Sequence, residues 1–273
     1  MTVPERKPGS PMQLPSTWDA VASGYAETMM RQAVYAERAI GLAGLGASDR
    51  VLDVGAGPGV LALLAARRAA QVTAVDFSPG MIERLIALSA REGLTNIQTA
   101  IMDAQALGLP DASFDAVFSM FVFMFVPDRA RAFRELRRVL RPAGRAVVAT
   151  WAPIDRRPLM KIGFDALAEV VPELPAPQKG DLQSPEDCSR EMSAAGFRDV
   201  VVEAFTGSVR IESAEQYLDL MERGGAPFAL LRQRLGEPAW SDVHRRLTDA
   251  VRRRLPELPA DLSAEALLTR GLR

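Results

Sequence analysis

Across 273 residues the chain carries a single cysteine, Cys188, and a single histidine, His244. One cysteine cannot close a disulfide within the chain, so nothing in its cysteine usage favours an oxidising compartment. No His, Cys and carboxylate cluster has ligand spacing, and no metal site is expected. Lysine occurs only as Lys7, Lys161 and Lys179, and the remaining basic residues are arginine, a bias that suits a bacterial proteome. The formal net charge of −1 leaves no global field to gather nucleic acid or an anionic membrane. No apolar run reaches the length of a membrane span. The first residues, MTVPERKPGSPMQLPS, hold four prolines and lack a hydrophobic signal core, so residues 1–16 are expected to be a disordered arm. These absences point to a cytoplasmic protein, monomeric or homodimeric, without nucleic-acid or membrane partners.

About half of the residues are apolar, enough for one large α/β domain over residues 17–273. Helical spacing runs through residues 17–40. Strand-like RVLDVG, QVTAVD, NIQTAIMD, DAVFSM and RAVVATW then alternate with helical segments, the second of which opens on Ser78 and Pro79. RPAG (141–144) is expected to break the helix that precedes the fifth strand. This alternation specifies a doubly wound, Rossmann-like, mostly parallel sheet. After residue 151 the rhythm changes. A helix over 158–170, a proline-rich loop, a short helix over 185–195, a strand over 197–211, helical pieces over 213–255 and a last strand over 264–273 are expected.

The first strand leads into VLDVGAGPGV, a glycine-rich turn of the kind that seats an adenosine cofactor on backbone amides. A dinucleotide fold would read G-x-G-x-x-G, and here the third glycine, Gly59, arrives one residue early. Asp53, inside a strand that otherwise reads as buried, needs a cation or several donors. It suits the ammonium of S-adenosylmethionine and would repel a pyrophosphate; hydrogen bonds from the loop amides are the alternative account of the same residue. Asp76 ends the second strand about 20 residues past Gly55, the place of an acid that accepts ribose hydroxyls from either cofactor. Phe77 and Met81 are placed to cover an adenine face or to fill core. Asp103, ahead of Ala104, is a third strand-end acid, suited to the adenine amine and foreign to a dinucleotide fingerprint. Three acids on one rim fit a cofactor with two cationic centres.

VLDVGAGPG, VDFSPGM, the acid of MDAQALGLPDASFDAVFS and FRELRRVLRPAGR, in this order and spacing, resemble the motifs of class I S-adenosylmethionine-dependent methyltransferases. The chain is most similar to the small-molecule branch typified by quinone-biosynthesis C-methyltransferases. The resemblance covers residues 17–151. It implies a seven-stranded sheet of order 3-2-1-4-5-7-6 with the last strand antiparallel. Segments 154–183 and 212–262 would then form a helical lid. It also implies that Asp53 and the backbone around Gly55 and Gly57 hold the methionine moiety, and that Asp76 binds the ribose. Phe77, Asp103 and Ala104 would frame the adenine, the backbone of Ser119 would meet the amino group, and Tyr25 in WDAVASGY would close over the cofactor.

MFVFMFVPD (120–128) follows the fourth strand and should face the methyl acceptor through Met120, Phe121 and Met124. Many members of the family carry histidine where this chain has Met124, so a general base is not expected there. An apolar, aromatic wall suits a small lipophilic or aromatic acceptor and in-line transfer driven by positioning. No catalytic residue is assigned; Tyr25 and His244 are the candidates that remain for a proton acceptor. A nicotinamide-dependent oxidoreductase and a catalytically silent methyltransferase-fold regulator are the alternative readings.

Overall fold

A computed structural model describes residues 10–29, 32–173 and 182–273, excluding the side chains of residues 23 and 25–29. Residues 10–16 do not belong to a disordered arm. Ser10 caps a 3-10 turn over Pro11–Gln13, and helix α1 (Pro15–Met29) begins directly after it. Pro11 and Pro15, two of the four prolines of that segment, both stand at helix starts, where a missing N–H costs nothing. Residues 1–9 of the expected arm lie outside the described residues.

Helix α2 (Ala33–Ala43) precedes the alternating units. These are β1 (Arg50–Val54), α3 (Val60–Ala66), β2 (Gln71–Asp76), α4 (Pro79–Arg91), β3 (Ile97–Ile101), β4 (Phe114–Met120), α5 (Arg129–Val139) and β5 (Leu140–Trp151). Then follow α6 (Pro158–Val170), α7 (Pro185–Ala194), β6 (Arg198–Ile211), α8 (Ala214–Gly224), α9 (Ala226–Leu235), α10 (Glu237–Arg252) and β7 (Ala260–Leu272). The seven strands form one sheet in the order β3-β2-β1-β4-β5-β7-β6. β1 to β5 are parallel, and β7 runs antiparallel to both β5 and β6. The sheet order is the one that the resemblance implied.

Strand periodicity sorts the core into two layers. On one face Val51, Val72, Ala116 and Val147 pack under α2 and α3. On the other, Leu52, Val54, Val117 and Val148 pack under α5 and α7, where Cys188 is an ordinary buried side chain. Asp53 shares the face of Val51 and therefore points toward α3. Helix α5 ends at Val139, ahead of RPAG as expected, but the segment is not a loop. β5 starts at Leu140 and absorbs the segment as an irregularity, with Phe114 opposite Leu140 and Ala116 opposite Arg145. Ala143, at φ +62°, takes the turn.

The helices after β5 have a core of their own. Ala166, Tyr217, Leu218, Phe228, Trp240 and Leu247 join α6, α8, α9 and α10 over the ends Ile211 and Leu262 of the last two strands. The helical pieces of 213–255 number three, split at Gly225 and Gly236, and β7 begins four residues earlier than expected, at Ala260. Helix α1 packs on α4 and α8, tying this helical cluster to the β1–β3 half of the sheet.

Candidate functional site

A cleft opens over the carboxyl ends of β1, β2, β3 and β4, on both sides of the crevice between β1 and β4 where the strand order reverses. Its lining includes Asp53, Gly55, Gly57, Asp76, Phe77, Met81, Asp103 and Ala104, eight of the residues singled out in the sequence. Met120 and Phe121 line it too. No lysine, arginine or histidine does among the described residues.

Asp53 is 1% exposed and neither of its carboxylate oxygens has a hydrogen-bond partner among the described residues. Burial, and then the nearby Asp76 carboxylate, push its pKa up to about 7. The Ala62 amide in the first turn of α3 opposes the shift without making a hydrogen bond. The account of Asp53 as a carboxylate satisfied by loop amides is therefore not the one realised. An enclosed, unpartnered acid at the floor of a cleft is the complement of a ligand cation.

Asp76 is also buried, but its oxygens are in use. Oδ2 accepts the Gly57 amide at 2.8 Å and Oδ1 accepts the Ser78 amide at 2.9 Å. Burial raises its pKa, and these amides work against the rise. Each oxygen keeps a lone pair for a hydroxyl. Asp76 thus joins the glycine turn to the N-terminus of α4. The two later glycines of the turn do different jobs. A Cβ on Gly57 (φ +54°) would meet nothing within 4 Å, so its missing side chain leaves room in the cleft. A Cβ on Gly59 (φ +100°) would lie 2.7 Å from Leu85 Cγ, so Gly59 serves the approach of α3 to α4 and does not line the cleft.

Asp103 is exposed on the rim, with Oδ1 accepting the Gln105 amide at 2.8 Å and both oxygens accepting Gln105 Nε2 at 3.0 Å. Gln105 Oε1 accepts the Asp128 amide at 3.0 Å, which links the rim to the loop after β4. Met81 is 1% exposed and belongs to a small core with Val21 and Ala22 of α1, so it both fills core and borders the cleft.

Three expected site residues are placed otherwise. Ser119 is fully buried and does not line the cleft; its hydroxyl donates to the Val54 carbonyl at 2.8 Å and holds the end of β1 against β4. Met124 does not line the cleft either. The segment Phe123–Phe125 is a 3-10 turn, which sends Phe123 into the core and Phe125 into the cleft. His244 does not line the cleft; it lies on α10, with Nδ1 2.6 Å from Glu222 Oε1 of α8, and is half-exposed. Tyr25 is in α1, and its side chain lies outside the described residues.

Sequence reasoning missed the cover of the site. Trp18 of α1 lines the cleft, as do Met12 and Gln13, and its ring centroid is 5.7 Å from that of Phe125 across the opening. Asp19 holds the helix in place, its Oδ1 accepting the Ser78 hydroxyl at 2.6 Å and the Gly80 amide at 2.9 Å. The signal was the pair Trp18-Asp19 on successive helix positions, one for the cleft and one for the helix below. Behind Phe121 (φ +60°) Trp151 stacks at 4.0 Å, and Tyr35 meets both rings edge-on.

The methyltransferase domain family matches residues 52–148. Aklanonic acid methyltransferase DauC of Streptomyces sp. (strain C5) is 31% identical over 166 residues, covering 55% of this chain and 74% of that protein. An uncharacterized protein of Mycobacterium tuberculosis (strain ATCC 25618 / H37Rv), Rv1405c, is 43% identical over 112 residues. That match covers 41% of this chain and 40% of the relative, so the chain spans less than half the length of such curated relatives. Among solved structures, the YcgJ protein of Bacillus subtilis superposes with a TM-score of 0.56 at 21% identity, over 87% of this chain and 98% of that one. The chain belongs to the class I S-adenosylmethionine-dependent methyltransferases.

Proposed function

We propose that the protein transfers a methyl group from S-adenosylmethionine to a small lipophilic or aromatic acceptor, by in-line displacement accelerated chiefly through positioning. The observation that carries this reading is Asp53, a buried carboxylate without a partner beneath the glycine turn. It would hold the cofactor's ammonium, with the backbone at Gly55 and Gly57 around the methionine moiety. Asp76 would take the ribose hydroxyls, and Phe77, Met81, Asp103 and Ala104 would frame the adenine under Trp18. When bound, the cofactor supplies an electrophilic methyl carbon on a sulfonium.

Met120, Phe121 and Phe125 supply an apolar wall that keeps water from the reacting centre. The acids of the cleft are committed to the cofactor in this reading, and among the described residues no His or Lys lines it to serve as a base. The acceptor therefore brings its own nucleophilic atom, and orientation provides the acceleration. The relative named for aklanonic acid supports an organic acceptor of this kind. Helices α6 and α8 to α10 would serve as the lid over it. No helix of the described residues is long and apolar enough to cross a membrane.

Calorimetric titration with S-adenosylhomocysteine and with NAD tests the reading. S-Adenosylhomocysteine is expected to bind and NAD to give no heat. Binding of NAD alone would sink it.

A further inference from the structure

Gln32 stands at the N-cap of α2, half-buried, and its side-chain amide makes neither a capping bond nor any other hydrogen bond among the described residues. It lines the cleft, as does Ala36 one helical turn on. Most other polar side chains of the lining are engaged within the protein. Asp76, Asp103 and Gln105 hold the partners given above, Trp18 Nε1 donates to the Met12 carbonyl at 2.9 Å, and Gln13 has a partner as well. Among the described residues of the lining, Asp53 and Gln32 are left, and Asp53 is reserved for the cofactor ammonium.

The fold puts this amide at the methyl end of the cleft. Helix α2 packs on α3 and across β4, β5, β7 and β6, on the side of β1 away from Asp76 and Asp103. Tyr35 and Ala36, in its first turn, belong to the core on which Met120 and Phe121 pack, and the Tyr35 ring meets that of Phe121 at 90°. The segment carrying Met120 and Phe121 rests on the glycine turn, where a Cβ on Gly55 would overlap Val122 Cγ2. Gln32, Met120 and Phe121 therefore border the methionine end of the cofactor site and not its adenine end.

Charge decides what such an amide receives. Asp53, Asp76 and Asp103 make the cleft negative, and no lysine, arginine or histidine among the described residues lines it. A singly positive cofactor leaves that balance negative. A neutral group that presents a proton is favoured there over an anion. The Gln32 Oε1 accepts from a hydroxyl but is too weak a base to remove its proton.

We propose that Gln32 binds the methyl acceptor, its Oε1 accepting a hydrogen bond from a neutral hydroxyl of that molecule beside the Phe121 wall. The assignment rests on the methyltransferase reading and narrows its acceptor to one that carries an uncharged hydroxyl. Gln32 orients the acceptor and moves no proton.

The test uses the full chain saturated with S-adenosylhomocysteine and titrated, by NMR, with phenol and with toluene, which lacks the hydroxyl. Gln32→Met, close in size, should weaken phenol about fivefold, the factor one neutral hydrogen bond provides, and leave toluene unchanged. Gln32→Glu keeps an acceptor oxygen in place and should hold phenol as the wild type does. Gln32→Leu replaces the Met variant if that one misfolds. Equal weakening of the two probes by Gln32→Met, or loss of phenol from the Glu variant as well, overturns the inference. So does a wild type that binds no phenol at millimolar concentration. A fall in S-adenosylhomocysteine affinity in Gln32→Met as large as the fall for phenol also overturns it, because Gln32 would then belong to the cofactor. Absence of S-adenosylhomocysteine binding by the wild type is the separate result that overturns the methyltransferase reading, and the assignment with it.

Discussion

Asp53 sets a conflict between stability and binding. Folded, it keeps its proton up to about pH 7; unfolded, it releases it near 4. The free folded protein thus binds more protons than the unfolded chain between these values, and loses stability as pH rises through that window. The ligand ammonium wants the ionised form, so affinity should move the other way. We expect S-adenosylhomocysteine to bind more tightly at pH 8 than at pH 6. Asp53→Asn should bind about tenfold or more weakly with no such slope, while its unfolding free energy in urea loses the pH dependence above. A flat affinity profile in the wild type would refute the assignment.

The glycines separate the same way. Gly59→Ala forces a Cβ into Leu85 and should cost roughly 1–3 kcal/mol of stability by urea titration. Gly57→Ala meets open space, so its stability loss should stay near the roughly 1 kcal/mol of a left-handed residue, with a larger loss in cofactor affinity.

Among the elements, α1 was the least legible. Its residues read as helical, but nothing in their spacing says that Asp19 will bind Ser78 and Gly80, sixty residues away in sequence, or that Trp18 will close on Phe125. Those contacts exist because α4 presents its first-turn donors where α1 crosses it. Trp18→Ala should weaken S-adenosylhomocysteine binding about tenfold. Asp19→Ala should speed proteolytic cleavage ahead of α2, and ligand should slow it again. If ligand changes the cleavage rate of neither protein, α1 does not cover the site. Met124 and Phe125 carry a similar lesson. Adjacent apolar residues were indistinguishable until the 3-10 turn chose which of them faced the cleft.

Over the whole molecule, the helices after β5 form a second core that meets the sheet through its last two strands and α1. Tyr217 is buried within it and donates its hydroxyl to the Leu159 carbonyl at 2.6 Å, joining α8 to α6. Tyr217→Phe should lower protection from hydrogen exchange in α6 by about 1 kcal/mol while leaving β1 to β4 unchanged. His244, paired with Glu222 on the outside of this cluster, should be dispensable for turnover. A large fall in kcat for His244→Ala would show that this helical cluster carries chemistry.

The parallel core and the row of strand-end acids were written in the sequence alone, while the sheet order followed from the resemblance to a family. Strand periodicity and the glycine turn are local signals, readable within ten residues. The roles of Ser119 and Trp18 were decided only by tertiary structure. Each depends on what a distant segment brings: the Val54 carbonyl to Ser119 and Phe125 to Trp18. Burial makes a polar group informative, and burial is a property of the folded whole.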